Sequence, residues 1–431
     1  MNTARLWYQR LLRRRVVTEG IWVTIGQGFS ALGTLVGIRI LTRLLPPTTY
    51  GLVSLLLGAG TLISGIFCTP FIQAMLRYYP QYASTNRIIA LRRAVDSAIR
   101  RGAALGILLL AVLGVVYWKM EGVAPVSIGL LAALVLVDTT RSREIAFYNA
   151  ARRQKPYALW TAAESWTRPL LAASAVYYFR PTSEPVLAGY LSASFLLLVL
   201  IPRIARREGI NGQHDSTELD PGLNQMLLSY ALPLMPLAVL GWISGVGDRY
   251  IIADLIGLKE AGIYAAAYGL VSRPFLMAGQ AIELTLRPHY QNAIAANDGA
   301  RAAHLLRAWQ ILLLLIMTVA FSVIALWHQQ IAWLLLGAKY QSGARLMPWI
   351  AGGYGLLTLS HFYERQCYAH SKTHYVLITQ VFGGIASFLI SLVAVIFWGL
   401  IGAAVAVPVY FGIQLAMSRL LASRITTEIN G

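Results

Sequence analysis

The chain is poor in nearly everything a soluble protein spends on its surface. Only 13% of its 431 residues are charged, against about 25% in soluble domains. Acidic residues are scarcest, with 18 Asp and Glu against 36 Lys and Arg. Two cysteines, Cys68 and Cys367, exclude a disulfide framework. The chain has no Gly-x-x-x-x-Gly-Lys-Ser/Thr loop, so it carries no ATPase of its own. It has no His-Glu-x-x-His or paired-cysteine metal site, and His370 with His374 finds no third ligand. No cofactor is expected. What is abundant is apolar: 57% of residues are hydrophobic, the mean hydropathy is +0.59, and yet the net charge is +18. A nucleic-acid binder of that charge would be polar overall, and a disordered chain would lack Leu, Ile and Val. The composition is that of a polytopic membrane protein.

Twelve stretches of about 20 apolar residues can each span a bilayer as a helix. Six lie near 18–42, 50–75, 102–118, 124–147, 157–179 and 185–204. Six more lie near 226–256, 261–286, 308–327, 345–369, 374–397 and 399–420. They are Leu- and Ala-rich without alternation, so they read as helices and not barrel strands. The basic N-terminus, Arg5 to Arg15, superficially resembles a signal peptide, but the apolar run after it is too long. Lys and Arg accumulate in short cytoplasmic loops. With the N-terminus placed inside, 26 of the 36 basic residues fall at inner ends and eight at outer ends. Arg168 and Arg273 remain within spans. Both termini are therefore expected to be cytoplasmic. Trp7, Tyr8, Trp118, Trp327 and Trp333 near span ends read as interfacial anchors.

The two halves of the chain resemble each other. Leu44-Leu45 and Gly51 match Leu255-Ile256 and Gly262 at an offset of 211, and Leu76-Arg77 matches Leu286-Arg287 at 210. Six spans per half preserve orientation, so the repeat is parallel and its pseudo-twofold axis lies along the membrane normal. The expected organisation is a six-helix bundle over 1–207, a polar cytoplasmic linker over 208–224 and a second six-helix bundle over 225–431. Substrate sites in such folds lie between the halves.

Charge inside a span costs roughly 2.5–3.5 kcal/mol on insertion scales, so it faces a partner or a water-filled cavity. Arg273 has no near carboxylate on its own helix. Arg168 follows Glu164 at i, i+4, which equally describes a structural salt bridge. Arg39 and Arg249 lie near outer ends, where snorkelling to headgroups is the alternative. These four arginines, Arg273, Arg168, Arg39 and Arg249, are the candidate cationic lining. Arg168 and Arg273 each precede a proline, Pro169 and Pro274, and span 7 holds Pro233 and Pro236, so kinked helices are expected. Asp138, Glu164 and Asp248 are candidates for cation coupling or for partnering the arginines. A cationic lining suits phosphate, which arginine binds bidentately.

Several stretches then carry a family resemblance. Thr42-Arg43-Leu44-Leu45-Pro46 through Tyr50-Gly51-Leu52 is similar to the opening of Wzx-type polysaccharide and O-antigen flippases. So are Leu232-Pro233, Asp248-Arg249-Tyr250-Ile251-Ile252, Ala261-Gly262-Ile263-Tyr264 and Gly337-Ala338-Lys339-Tyr340. The resemblance implies membership of the multidrug/oligosaccharidyl-lipid/polysaccharide exporter superfamily. It also implies two six-helix bundles in a V in the bacterial inner membrane. The implied substrate is an undecaprenyl-diphosphate-linked oligosaccharide, turned from the cytoplasmic to the periplasmic leaflet. Alternating access would be driven by a proton or sodium gradient. The product would feed O-antigen, capsule or exopolysaccharide assembly, beside a polysaccharide polymerase and a chain-length regulator. The rival readings are a multidrug antiporter of the same superfamily and a membrane polymerase or ligase; short outer loops argue against the latter.

Overall fold

A computed structural model describes residues 2–121, 124–207, 222–296, 298–370 and 372–430. Among them every regular element is helical. The first half comprises α1 (Asn2–Leu44), α2 (Pro47–Phe67), α3 (Thr69–Ser84), α4 (Ile88–Glu121), α5 (Pro125–Ala150), α6 (Gln154–Tyr178) and α7 (Ser183–Arg207). The second comprises α8 (Leu223–Ala231), α9 (Leu234–Trp242), α10 (Asp248–Leu255), α11 (Leu258–Ala295), α12 (Gly299–Leu335), α13 (Met347–Ala369) and α14 (Thr373–Asn430). The expected linker lies almost wholly outside the described residues.

These helices supply twelve spans. Seven stretches are long and apolar enough to cross a bilayer on those grounds alone. One of them, Thr373–Ile425, is bent at Gly399 and forms two spans. Four more spans, α4, α6, α11 and α13, are of spanning length but carry charge that dilutes their hydropathy. Gly399 has φ +58, a left-handed conformation natural to glycine, and it joins the last two spans. Pro46 and Pro47 stop α1 and start α2, because proline fits the first helical turn. Gly257, at φ +138, makes the equivalent turn before α11.

Several spans are less regular than hydropathy suggests. Span 2 is two helices, broken at Cys68 with Pro70 in the first turn of α3. Span 3 continues a basic amphipathic segment, so α4 runs unbroken for 34 residues. Span 7 consists of α8, α9, a π turn over Ile243–Gly247 and α10. Pro233 separates its first two pieces as expected. Pro169 and Pro274, in contrast, sit inside helices that continue through them. The sharper bend in span 9 is at Trp327, with no proline nearby.

The largest buried cluster belongs to the second half, around Tyr264, Tyr268, Tyr340, Tyr410 and Phe411, and reaches across to Ile38 of α1. The first half is held by smaller clusters, one of which joins α3 and α4 to α8.

Candidate functional site: the seam between the halves and its arginines

The two matched glycines of the repeat meet each other. A Cβ added to Gly51 would lie 2.1 Å from the Leu258 carbonyl and 3.0 Å from the Gly262 amide. One added to Gly262 would lie 1.9 Å from the Pro47 carbonyl and 2.9 Å from the Gly51 amide. Equivalent positions touching reciprocally mark a twofold axis passing between them. Only glycine allows α2 and α11 this close at their outer ends.

Further bonds seal that end. Arg39 of α1 donates through one guanidinium nitrogen to the Trp333 carbonyl at 3.0 Å and to the Leu336 carbonyl. These are last-turn acceptors of α12, where a cation also suits the helix dipole. The Gly337 amide donates to Thr42 Oγ1 at 3.0 Å, and Tyr340 donates to the Leu45 carbonyl at 3.1 Å. The Tyr340 ring meets Tyr50 edge-on at 5.7 Å. Along α2 the seam continues onto span 7. Arg249 donates to Ser54 at 3.2 Å, Tyr250 to the Leu55 carbonyl at 2.6 Å, and Trp242 to the Gly58 carbonyl at 2.8 Å. At the inner end Tyr78 of α3 meets Tyr230 of α8 at 5.8 Å. The halves are thus closed outside and zipped along α2, α3 and span 7.

The first half pairs its intramembrane charges. Arg141, with a side chain only 3% exposed, binds Asp138 at 2.6 Å and both oxygens of Glu164. Arg168 binds Asp138, reaches Glu164 at 3.1 Å and donates to Ser194 at 3.0 Å. Asp138, Arg141, Glu164 and Arg168 therefore form one quartet of zero net charge, spread over α5 and α6. Nearer the inner end, Arg92 and Arg143 share Glu144, and Arg143 also takes Asp96. The i, i+4 spacing of Glu164 and Arg168 foretold part of the quartet. The role of Arg141 as bridge between α5 and α6 was not legible, because pairing between helices leaves no spacing signal.

The second half does not balance its charges in the same way. Asp248 is buried and accepts from Tyr264 through Oδ2, while Oδ1 has no partner among the described residues. Arg249 lies over the Tyr268 ring at 4.9 Å and forms no salt bridge to any described residue. Tyr268 and Tyr354 share a hydroxyl–hydroxyl bond of 2.7 Å. Arg273, about 22 Å along α11 from its outer start, is exposed, with neither ion pair nor hydrogen bond to a described residue. Both Arg249 and Arg273 lie within electrostatic range of the Tyr354 hydroxyl. Glu283, lower on α11, is instead taken by Arg287 at 3.0 Å and Arg365 at 2.8 Å.

The four candidate arginines thus separate. Arg39 spends its bonds on the opposite half and Arg168 on the quartet, while Arg249 and Arg273 form no ion pair with a carboxylate of any described residue, although Asp248 feels the charge of its neighbour Arg249. Asp138 and Glu164 stand as charge partners, and Asp248 stands apart from them. The buried tyrosines around Asp248 had no sequence signal beyond their number. Among the described residues no group of three His, Cys, Asp or Glu could hold a metal ion.

Residues 16–288 match the model of a family described as polysaccharide biosynthesis protein. No curated protein matches the chain in sequence. Solved structures of the same fold include the lipid II flippase MurJ in an inward closed conformation. Its TM-score is 0.68 at 12% identity, covering 94% of this chain and 87% of that one. A point mutant of the MATE transporter VcmN from Vibrio cholerae gives a TM-score of 0.64 at 14% identity, covering 97% of this chain and 98% of that one. An outward-facing MATE transporter of the MOP superfamily gives 0.59 at 13% identity, covering 96% of each chain.

Proposed function

We propose that the chain, which belongs to the polysaccharide biosynthesis protein family and shares its fold with a lipid II flippase and a MATE transporter of the MOP superfamily, is a lipid-linked oligosaccharide flippase. It moves an undecaprenyl-diphosphate-linked repeat unit from the cytoplasmic to the periplasmic leaflet of a bacterial inner membrane. The observation that carries this reading is Arg273: a cation at mid-span, exposed, and unpaired among the described residues. Such a charge faces a polar space and awaits an anion. With Arg249 it forms a two-arginine wall suited to a diphosphate. The lipid tail stays in the bilayer while the headgroup passes between the halves.

Asp248 is the coupling candidate. A buried carboxylate with one unpartnered oxygen beside a π turn can take a proton or a sodium ion, and π turns recur at functional sites. Arg39 acts as part of the outer closure, and Asp138 and Glu164 hold Arg141 and Arg168 in place. The product would pass to a polymerase and a chain-length regulator for O-antigen, capsule or exopolysaccharide assembly. A multidrug antiporter would favour an acidic wall for cationic drugs, and the unpaired charge beside the seam includes two arginines. Deletion of the gene should trap lipid-linked repeat units on the cytoplasmic face, and Arg273→Gln should do the same at normal protein level. Normal surface polysaccharide in both strains would refute the reading.

A further inference from the structure

The first-half quartet sits at the depth of the substrate path yet carries no net charge. Asp138 lies about 20 Å along α5 from its outer start, deep within the span. At that depth lipid cannot solvate a charged side chain. Even so, the side chains of Asp138, Glu164 and Arg168 are 31%, 22% and 24% exposed. The open face of the quartet therefore borders a polar space.

Every hydrogen bond to Asp138 from Arg141, Arg168 and Ser194 goes to Oδ1. Oδ2 accepts none from the described residues, and the side chain as a whole is 31% exposed. Arg168 also lies over the Tyr190 ring at 5.9 Å. Tyr190 and Tyr50 of α2 pack against the same small cluster, and Ser54, one turn on from Tyr50, accepts from Arg249. A row of contacts thus runs from the neutral quartet, past two tyrosines, to Arg249 of the second half.

From this row we infer that the headgroup binds in a fixed orientation. Its diphosphate lies against Arg249 and Arg273, and the sugar beyond it donates a hydroxyl to Asp138 Oδ2. The inference rests on the flippase reading and adds a substrate class to it. The preferred repeat unit presents neutral, hydroxyl-rich sugars to the first half. A uronic acid there would bring its carboxylate against Asp138 and Glu164, whose charges are already matched by Arg141 and Arg168. The net charge of the chain would have suggested the opposite, a preference for acidic glycans.

The test uses the purified full-length protein in nanodiscs with three probes. They are undecaprenyl diphosphate, the same lipid bearing a neutral disaccharide, and the same lipid bearing a disaccharide that ends in a uronic acid. A hydrogen bond to a carboxylate should make the neutral glycolipid bind about tenfold tighter than the bare diphosphate. The uronate should forfeit that gain. In Asp138→Asn the ratio of the first two affinities should fall towards one. Uronate binding as tight as neutral sugar, or a ratio unchanged in Asp138→Asn, overturns the orientation while leaving the flippase reading intact. If Asp138→Asn fails to fold, the three-probe comparison on the unaltered protein decides alone. Failure of the unaltered protein to bind even undecaprenyl diphosphate overturns both.

Discussion

Placing one methyl group on the pseudo-twofold axis should force the outer closure open. In Gly262→Ala the new carbon would sit 1.9 Å from the Pro47 carbonyl oxygen and 2.9 Å from the Gly51 amide nitrogen. Ordinary contact is about 3.5 Å, so α2 and α11 must part by more than an ångström, and both partners are backbone that cannot rotate away. Overpacking of this kind costs about 1–3 kcal/mol. The clash exists only while the halves are closed outside, so the cost falls on that state alone. It converts to a shift of about 5- to 150-fold in the closed-to-open ratio. Gly51→Ala, 2.1 Å from the Leu258 carbonyl, should do the same. The double variant should gain less than the sum, because one separation relieves both clashes.

The assay is labelling of Thr42→Cys by a membrane-impermeant maleimide added outside intact cells. Thr42 is 2% exposed, its Oγ1 accepts from the Gly337 amide across the closed seam, and the native Cys68 and Cys367 are buried. Labelling should rise several-fold in Gly262→Ala. It should stay at background in the control Gly129→Ala, where an added Cβ meets nothing. Unchanged labelling in Gly262→Ala, at normal protein level, would mean that the glycine contact is not a gate and that the halves do not part there.

The remaining predictions follow from single interactions. Arg141→Leu leaves Asp138 and Glu164 facing each other with Arg168 alone, and breaking a buried pair costs about 3–5 kcal/mol; the melting temperature in detergent should fall clearly, and an unshifted melt would show that the quartet is not structural. Arg39→Ala removes the donor from the Trp333 and Leu336 carbonyls and should raise outer labelling at Thr42→Cys, with Arg39→Lys intermediate; loss of lipid diphosphate binding without a labelling change would return Arg39 to the substrate. Asp248→Asn should abolish the dependence of transport in liposomes on an imposed proton or sodium gradient, and a retained dependence would place coupling elsewhere. Gly399→Ala should cost about 1–3 kcal/mol, because φ +58 with ψ −140 is a conformation open almost to glycine alone, read as a lower melting temperature.

How far the sequence foretold this arrangement depends on what each contact is made of. The offset of 211 between Gly51 and Gly262 was readable, and symmetry alone dictates that positions near a twofold axis meet their own counterparts. The arginine count gave topology because it is a statistic of loops. The Arg39 closure was invisible, since its acceptors are backbone carbonyls that every residue possesses. Arg141 was visible only as a neighbour of Asp138 three residues away, and its bond to Glu164 depends on how α5 lies against α6. α6 and α11 run on through Pro169 and Pro274, because a helix packed on both sides can carry a proline without ending. Further breaks fell at Cys68, which Pro70 marks, and at Trp327 and the π turn, which the sequence hardly marks. The same limit governs the candidate site. An intramembrane arginine is legible as costly, but whether it is a fastener or a ligand is decided by acids on other helices. Arg168 has Asp138 of α5 within reach besides Glu164 of its own helix, and Arg273 has no acid among the described residues, so two residues alike in sequence, each followed by proline, part company only in three dimensions.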